Sequence, residues 1–189
     1  MRLVLLTIPL AIGVGYLLGG RLSNLPGVEL RWPWLAVSGV VLQLAPVTGA
    51  IGAGLLIASF ALLCAFAAMN LQLPGFPLLL VGLVLNFMVI GANQGMPVTR
   101  HALIASHQQA TLYELTHSGG AKHHLAASSD VLLPLADAIP IDGPIHQAVS
   151  IGDIATHLGI AWFVVGAMRR RRRAVDPPIR TLPVVHAKD

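Results

Sequence analysis

The chain has 189 residues, of which 55% are hydrophobic and only 11% charged, with a formal net charge of +4. Soluble globular domains carry about a quarter charged residues, so this composition, with a mean hydropathy of +0.74, excludes an ordinary soluble enzyme. The positive charge does not point to nucleic acid, because five of the twelve basic residues are consecutive at 169–173, directly after an apolar run. That placement is the positive-inside pattern of a cytoplasmic helix end, and it also attracts anionic lipid headgroups.

Apolar segments of this length, without strand-like alternation, predict an all-α, polytopic helical membrane protein. The first span is expected over 3–18; no small-x-small cleavage site follows it, so it reads as a retained helix rather than a leader. Gly15 and Gly19 are spaced for close helix packing, a pattern common in glycine-rich spans. Residues 21–31 form a short polar link with a Leu25-Pro26-Gly27 turn. Trp32 and Trp34 stand where interfacial aromatics belong. Spans over 33–44 and 51–69 follow, separated at Pro46-Val-Thr-Gly49. A single helix over 32–69 would measure about 57 Å at 1.5 Å per residue, nearly twice the hydrocarbon thickness. The fourth span is expected over 76–90 and the fifth over 151–168. Residues 1–168 thus read as one membrane domain of about five helices, and 169–189 as a basic, Pro-rich, disordered tail.

Between the fourth and fifth spans lies a large, partly helical loop, 91–150. One span separates it from the arginine block, so it is expected on the outer face of a bacterial plasma membrane. The N-terminus is then outside and the C-terminus cytoplasmic. A helix is expected over 99–115, with Thr99 as N-cap. An apolar, amphipathic piece at 131–140 follows Ser128-Ser-Asp130 and should lie in the interface or fold back onto the bundle. The lone Cys64 permits no intrachain disulfide.

The residues able to carry chemistry cluster in and beside this loop. Six of the eight histidines and five of the eight acidic residues lie within 91–153. Asp153 and His157 are four apart at the start of the fifth span, on one helix face. Intramembrane ionisable groups are costly unless they face protein or water, which makes them functional candidates; the plainer reading is an acid complementing the helix dipole beside a packed histidine. Asp137, set in Leu-Pro-Leu-Ala-Asp-Ala-Ile-Pro, should have its pKa raised by desolvation, as suits a general acid or a shared-proton pair. The alternative is an interfacial turn residue. Asp137 and Asp153 both belong at the outer end of the bundle, where placement alone would let them meet as a catalytic pair, with His157 as a third candidate catalytic group. Asn93, Gln94, Gly95, His123 and His124 are candidate substrate-binding residues. Asn86 and Asn93 are seven apart and share a helix face. The histidines His101, His107, His117, His123, His124 and His146 lack cysteine partners, an H-E-x-x-H motif or i, i+4 repetition among themselves. Neither a metal nor a cofactor is therefore expected, and the His-rich loop reads as pH-responsive or solvated.

Gly19-Gly-Arg-Leu-Ser-Asn-Leu25, Asn93-Gln-Gly-Met-Pro-Val98, Leu135-Ala-Asp137 and Ser150-Ile-Gly-Asp153 together resemble a family of bacterial polytopic membrane proteins known only as a domain of unknown function. That resemblance spans residues 1–168 and implies a small multi-pass protein without implying an activity. By analogy alone, Ser150-Ile-Gly-Asp153-Ile is similar to the context of the second aspartate of lipoprotein signal peptidase, with Asp137 in the place of the first. The Gly-Asn-x-x-Asp-Arg motif of that family is absent and the number of spans differs. Two functions follow as expectations: a lipid- or ligand-binding or assembly component, with membrane lipids and a protein at the outer face as partners, or a membrane-embedded aspartyl hydrolase acting on a lipid or lipidated peptide.

Overall fold

The computed structural model describes residues 2–45, 47, 49–117, 120, 122–143 and 145–170. The expected basic tail from 171 onward, and the turn residues Pro46, Thr48, Ser118 and Gly119, lie outside the described residues.

Five long apolar helices form the bundle: α1 (Arg2–Leu17), α2 (Pro33–Leu44), α3 (Gly49–Met69), α4 (Phe76–Asn93) and, after the loop, the helix α7 (Ile151–Arg169). Of these, α3, α4 and α7 are long and apolar enough to cross a membrane, whereas α1 and α2 are shorter apolar helices. The helices pack in the order α2, α3, α4, α7, α1. Large apolar side chains such as Leu5, Leu10, Val37, Val81, Leu158 and Trp162 remain exposed around the bundle. That is an aqueous liability but the natural outside of a helix bundle in lipid.

Polar side chains inside the bundle satisfy backbone carbonyls. Ser59 donates to Gly39 O at 2.7 Å and locks α3 to α2. Buried Asn70 closes the α3–α4 turn onto the α1–α2 link: its amide oxygen accepts from Arg31 N at 2.8 Å and its Nδ2 donates to Arg31 O at 2.9 Å. At the same end Arg21 N and Asn24 Nδ2 donate to Met168 O, at 2.9 and 2.7 Å. At the opposite end Leu3 N donates to Gln147 Oε1 at 3.3 Å. Helices α1 and α7 therefore run in the same direction over the same height.

The α4–α7 crossing is set by glycines seven residues apart on both helices. A Cβ at Gly82 would meet Thr156 and the Gly152 carbonyl, and one at Gly159 would meet Leu79 and the Gly75 carbonyl. Missing side chains let the two backbones approach closely. The Gly15–Gly19 pair of the first helix works differently: Gly15 faces Met168, but Gly19 has open space and a left-handed φ of +78° at the helix end.

The loop folds into compact structure that an all-helical expectation misses. Strand β1 (Met96–Val98) pairs in parallel with β2 (His123–Leu125), and β3 (Ile139–Ile141) pairs antiparallel with β4 (Gln147–Val149). The helix expected over 99–115 is two: α5 (Arg100–Ala105) and α6 (Gln109–His117). Thr99 does cap the first, accepting from Ala102 N. The break follows from Ser106, whose Oγ returns to Ala102 O at 2.6 Å, and from His107, whose φ of 57° is left-handed. Such side-chain bonds compete with helix continuation. The apolar piece at 131–140 forms a 3-10 turn (Leu133–Leu135) and the start of β3 rather than a helix. Pro134 and Pro140 lack the donors a helix needs. Leu135 packs against Leu56, Val89, Ile90 and Met96, so the segment does fold back onto the bundle.

Candidate functional site

Asp153 enters α7 in a reciprocal cap with Ser150. Its backbone N–H donates to Ser150 Oγ at 2.9 Å, and its Oδ2 accepts from Ser150 N at 3.2 Å. Across the glycine seam Asn86 completes a ring, donating from Nδ2 to Asp153 Oδ1 at 2.7 Å and accepting from Ser150 Oγ at 2.9 Å. Every polar atom of the ring thus has a partner, which is the condition for a stable buried network. The side chains of Asn86 and Ser150 are buried. Both were legible only indirectly, through the seven-residue spacing to Asn93 and the Ser-x-x-Asp capping spacing.

Asp137 descends onto this ring from the loop. Its backbone is fixed to β1: its N–H donates to Pro97 O at 3.0 Å and its carbonyl accepts from Thr99 N at 3.1 Å. The residue is 5% exposed, and its carboxyl faces that of Asp153 within reach of a shared hydrogen bond. Such a bond exists only while one of the two holds a proton. Both Asp153 oxygens already accept from Asn86 and Ser150, and Asp137 Oδ1 is sealed from solvent with no donor among the described residues bonded to it. The proton therefore belongs on Asp137. Burial first, then the charge and hydrogen bond of Asp153, push its pKa up from 3.8 to about 8, so it is mostly neutral at pH 7.

His123 stands at the edge of the pair, with Nε2 3.7 Å from Asp137 Oδ2. Desolvation holds its imidazole below the ordinary value, opposed by the Asp153 charge. Its side chain is nevertheless 52% exposed, so it links the buried carboxyls to solvent.

Above Asp137 opens a cavity of about 520 Å³. One wall is the end of α2, at Leu44 and Ala45, and the other is loop, including Thr111, Glu114, Lys122, His123 and Gln147. Asp137 is in the lining and Asp153 is not.

The remaining expected site residues lie elsewhere. His157 donates from Nδ1 to the Asp153 backbone carbonyl at 2.7 Å rather than to its carboxylate. Asn93 clamps the loop, exchanging bonds with Val131 O and N at 3.0 and 2.9 Å. Gln94 and Gly95 end α4 with φ of 54° and 159°. A Cβ at Gly95 would press on His124. His124 in turn holds Asp130 at 3.1 Å. These four residues shape the loop and do not line the cavity.

A family model matches residues 27–165, well over half of the chain. The chain belongs to the family of unknown function DUF5317. In this DUF5317 chain the match takes in Asn86, Asp137, Ser150, Asp153 and the whole loop, and stops before the arginine block. Comparison with curated proteins and with solved structures gave no match.

Proposed function

We propose that this DUF5317 chain is a five-span membrane protein that binds the polar head of a lipid or lipidated ligand, with neutral Asp137 as the hydrogen-bond donor at the floor of the site. The observation that carries this reading is a buried carboxyl, Asp137, 5% exposed yet lining a cavity with one apolar wall; its raised pKa supports the neutral form. A neutral carboxyl donates a hydrogen bond without the cost of burying an unpaired charge. The apolar α2 end suits an acyl chain, and the loop wall suits a headgroup. Five spans are supported by α1 covering the height of α7, and an outward loop by the arginines at the far end of α7.

A fluorescent single-chain lysophospholipid tests this reading in detergent-solubilised protein. Asp137→Leu, and Thr111→Trp filling the cavity, should each weaken binding by about tenfold or more. Unchanged binding in the Thr111→Trp protein would sink the proposal.

The shared proton also favours a second reading, aspartyl hydrolysis. Asp153 would accept a proton from a water attacking a substrate carbonyl, while Asp137 gives its own to the leaving group. This requires water to reach Asp153, whose oxygens are occupied and which lies outside the cavity lining. A lipopeptide cleaved by wild type but by neither Asp137→Asn nor Asp153→Asn would establish it.

A further inference from the structure

On the loop, away from the aspartate pair, His107 and His146 converge on one oxygen. Nδ1 of each ring lies 3.1 Å from Asp142 Oδ1. The ligating atoms of all three side chains fall within 4.8 Å of one another. His107 leaves the end of α5, while Asp142 and His146 sit either side of the β3–β4 turn. The two rings stand edge to face with centroids 5.8 Å apart, so both nitrogens point inward without the rings clashing.

Three features separate this cluster from a chance surface ion pair. Around a tetrahedral ion with bonds of about 2.0–2.1 Å, neighbouring donor atoms are about 3.3 Å apart, and both nitrogen–oxygen separations are already close to that. His146 Nδ1 is sealed from solvent and makes no hydrogen bond among the described residues, although it lies 3.1 Å from the carboxylate. It is thus an unengaged lone-pair donor aimed at the cluster. Both histidines also hold a left-handed backbone, with φ of 57° and 43°. Non-glycine residues adopt that conformation at a cost, and here it turns both rings onto Asp142.

We propose that His107, Asp142 and His146 form a divalent transition-metal site, best suited to Zn²⁺, with its remaining position open to solvent or an exogenous ligand. Two imidazoles and a carboxylate are a borderline-soft donor set that suits zinc and disfavours calcium or magnesium. The side chains of His107, Asp142 and His146 are 60%, 56% and 44% exposed, so the cluster lies at the protein surface, outside the bundle. His146 also lines the cavity, so the proposed site adjoins it. The histidine spacing conceals this site, since the relevant i, i+4 pair is Asp142 with His146 and the third ligand comes from another element. The proposal does not depend on the Asp137–Asp153 reading.

The test uses the full chain in detergent, purified without a polyhistidine tag and treated with chelator. Calorimetric titration with Zn²⁺ should give one site per chain. Asp142→Asn and His146→Gln should each lower its affinity by about tenfold or more. His117→Ala, an exposed histidine outside the cluster, and Asp137→Asn should leave it unchanged. X-ray absorption of the wild-type zinc complex should show two imidazoles with oxygen ligands, a readout that survives if a variant misfolds. Absence of stoichiometric Zn²⁺ binding by wild type, or an equal loss in His117→Ala and His146→Gln, would overturn the assignment.

Discussion

Asn86 on α4 donates to Asp153 on α7 at 2.7 Å, directly beside the Gly82–Gly152 approach that brings the two backbones together. A short amide reaches the carboxylate only because no side chains intervene, so helix packing and site geometry are one feature. Asn86→Leu removes the donor to Asp153 and the acceptor for Ser150 Oγ at once. Stranding buried polar groups costs about 1–3 kcal/mol each. We expect a lower apparent Tm in detergent, and an Asn86→Gln protein only partly rescued because the longer amide overfills the gap. A wild-type Tm for Asn86→Leu would show that the ring contributes nothing to stability.

Filling the seam itself should be worse than its size suggests. At Gly82 and Gly159 an added Cβ meets backbone atoms of the facing helix, which cannot swing aside. Gly159→Leu should destabilise by about 1–3 kcal/mol or more through overpacking. Gly91, on the same helix as Gly82, has open space around it, and Gly91→Ala should stabilise by up to about 1 kcal/mol through helix propensity. Thermal unfolding followed by tryptophan fluorescence distinguishes the two signs.

Asp137 makes stability depend on pH in the direction opposite to that of most carboxylates. Its folded pKa of about 8 stands above the ordinary 3.8. Between those values the folded chain holds a proton that the unfolded chain has lost, so stability falls as pH rises through the window. The contribution is fully present below about pH 4, and is lost as pH passes about 8. The full effect is on the order of a few kcal/mol. Asp137→Asn cannot titrate, so its unfolding midpoint should vary less between pH 5 and 9. The carboxylic C=O infrared band provides the direct check: it should be present at pH 6 in wild type, lost above about pH 8, and missing from Asp137→Asn. A band that persists unchanged in Asp137→Asn would assign the proton elsewhere.

The helices were legible because each apolar run is long and uninterrupted, and helices cover all five expected segments, four within two residues at each end and α4 three residues past its expected end, although among the described residues three are long and apolar enough to cross a membrane. Shared placement of Asp137 and Asp153 at one end of the bundle was legible, since one is an acid in an apolar loop and the other an acid at a helix start, but whether they meet was not. The loop's strands were not. Each has three residues, too few to show alternation, and β1 pairs in parallel with a segment beyond two helices. The roles of Asn93 and His124 as clamps were hidden for the same reason: their partners, Val131 and Asp130, are set by the loop's path rather than by helical spacing.

The proposed topology makes a prediction about the two faces of the membrane. Tyr113 lies on α6 in the loop and is 67% exposed, and Leu30 lies in the α1–α2 link and is 37% exposed. Helices α2, α3 and α4 separate them in sequence. If all three cross the membrane, the two positions are on opposite sides. In a Cys64→Ser background, Tyr113→Cys should react with a membrane-impermeant maleimide in intact cells, and Leu30→Cys only after permeabilisation. The reverse pattern would invert the orientation inferred from the arginines. Reaction of both from one side would mean that α2, with its 12 residues, does not cross, because α3 and α4 alone return the chain to the side it left.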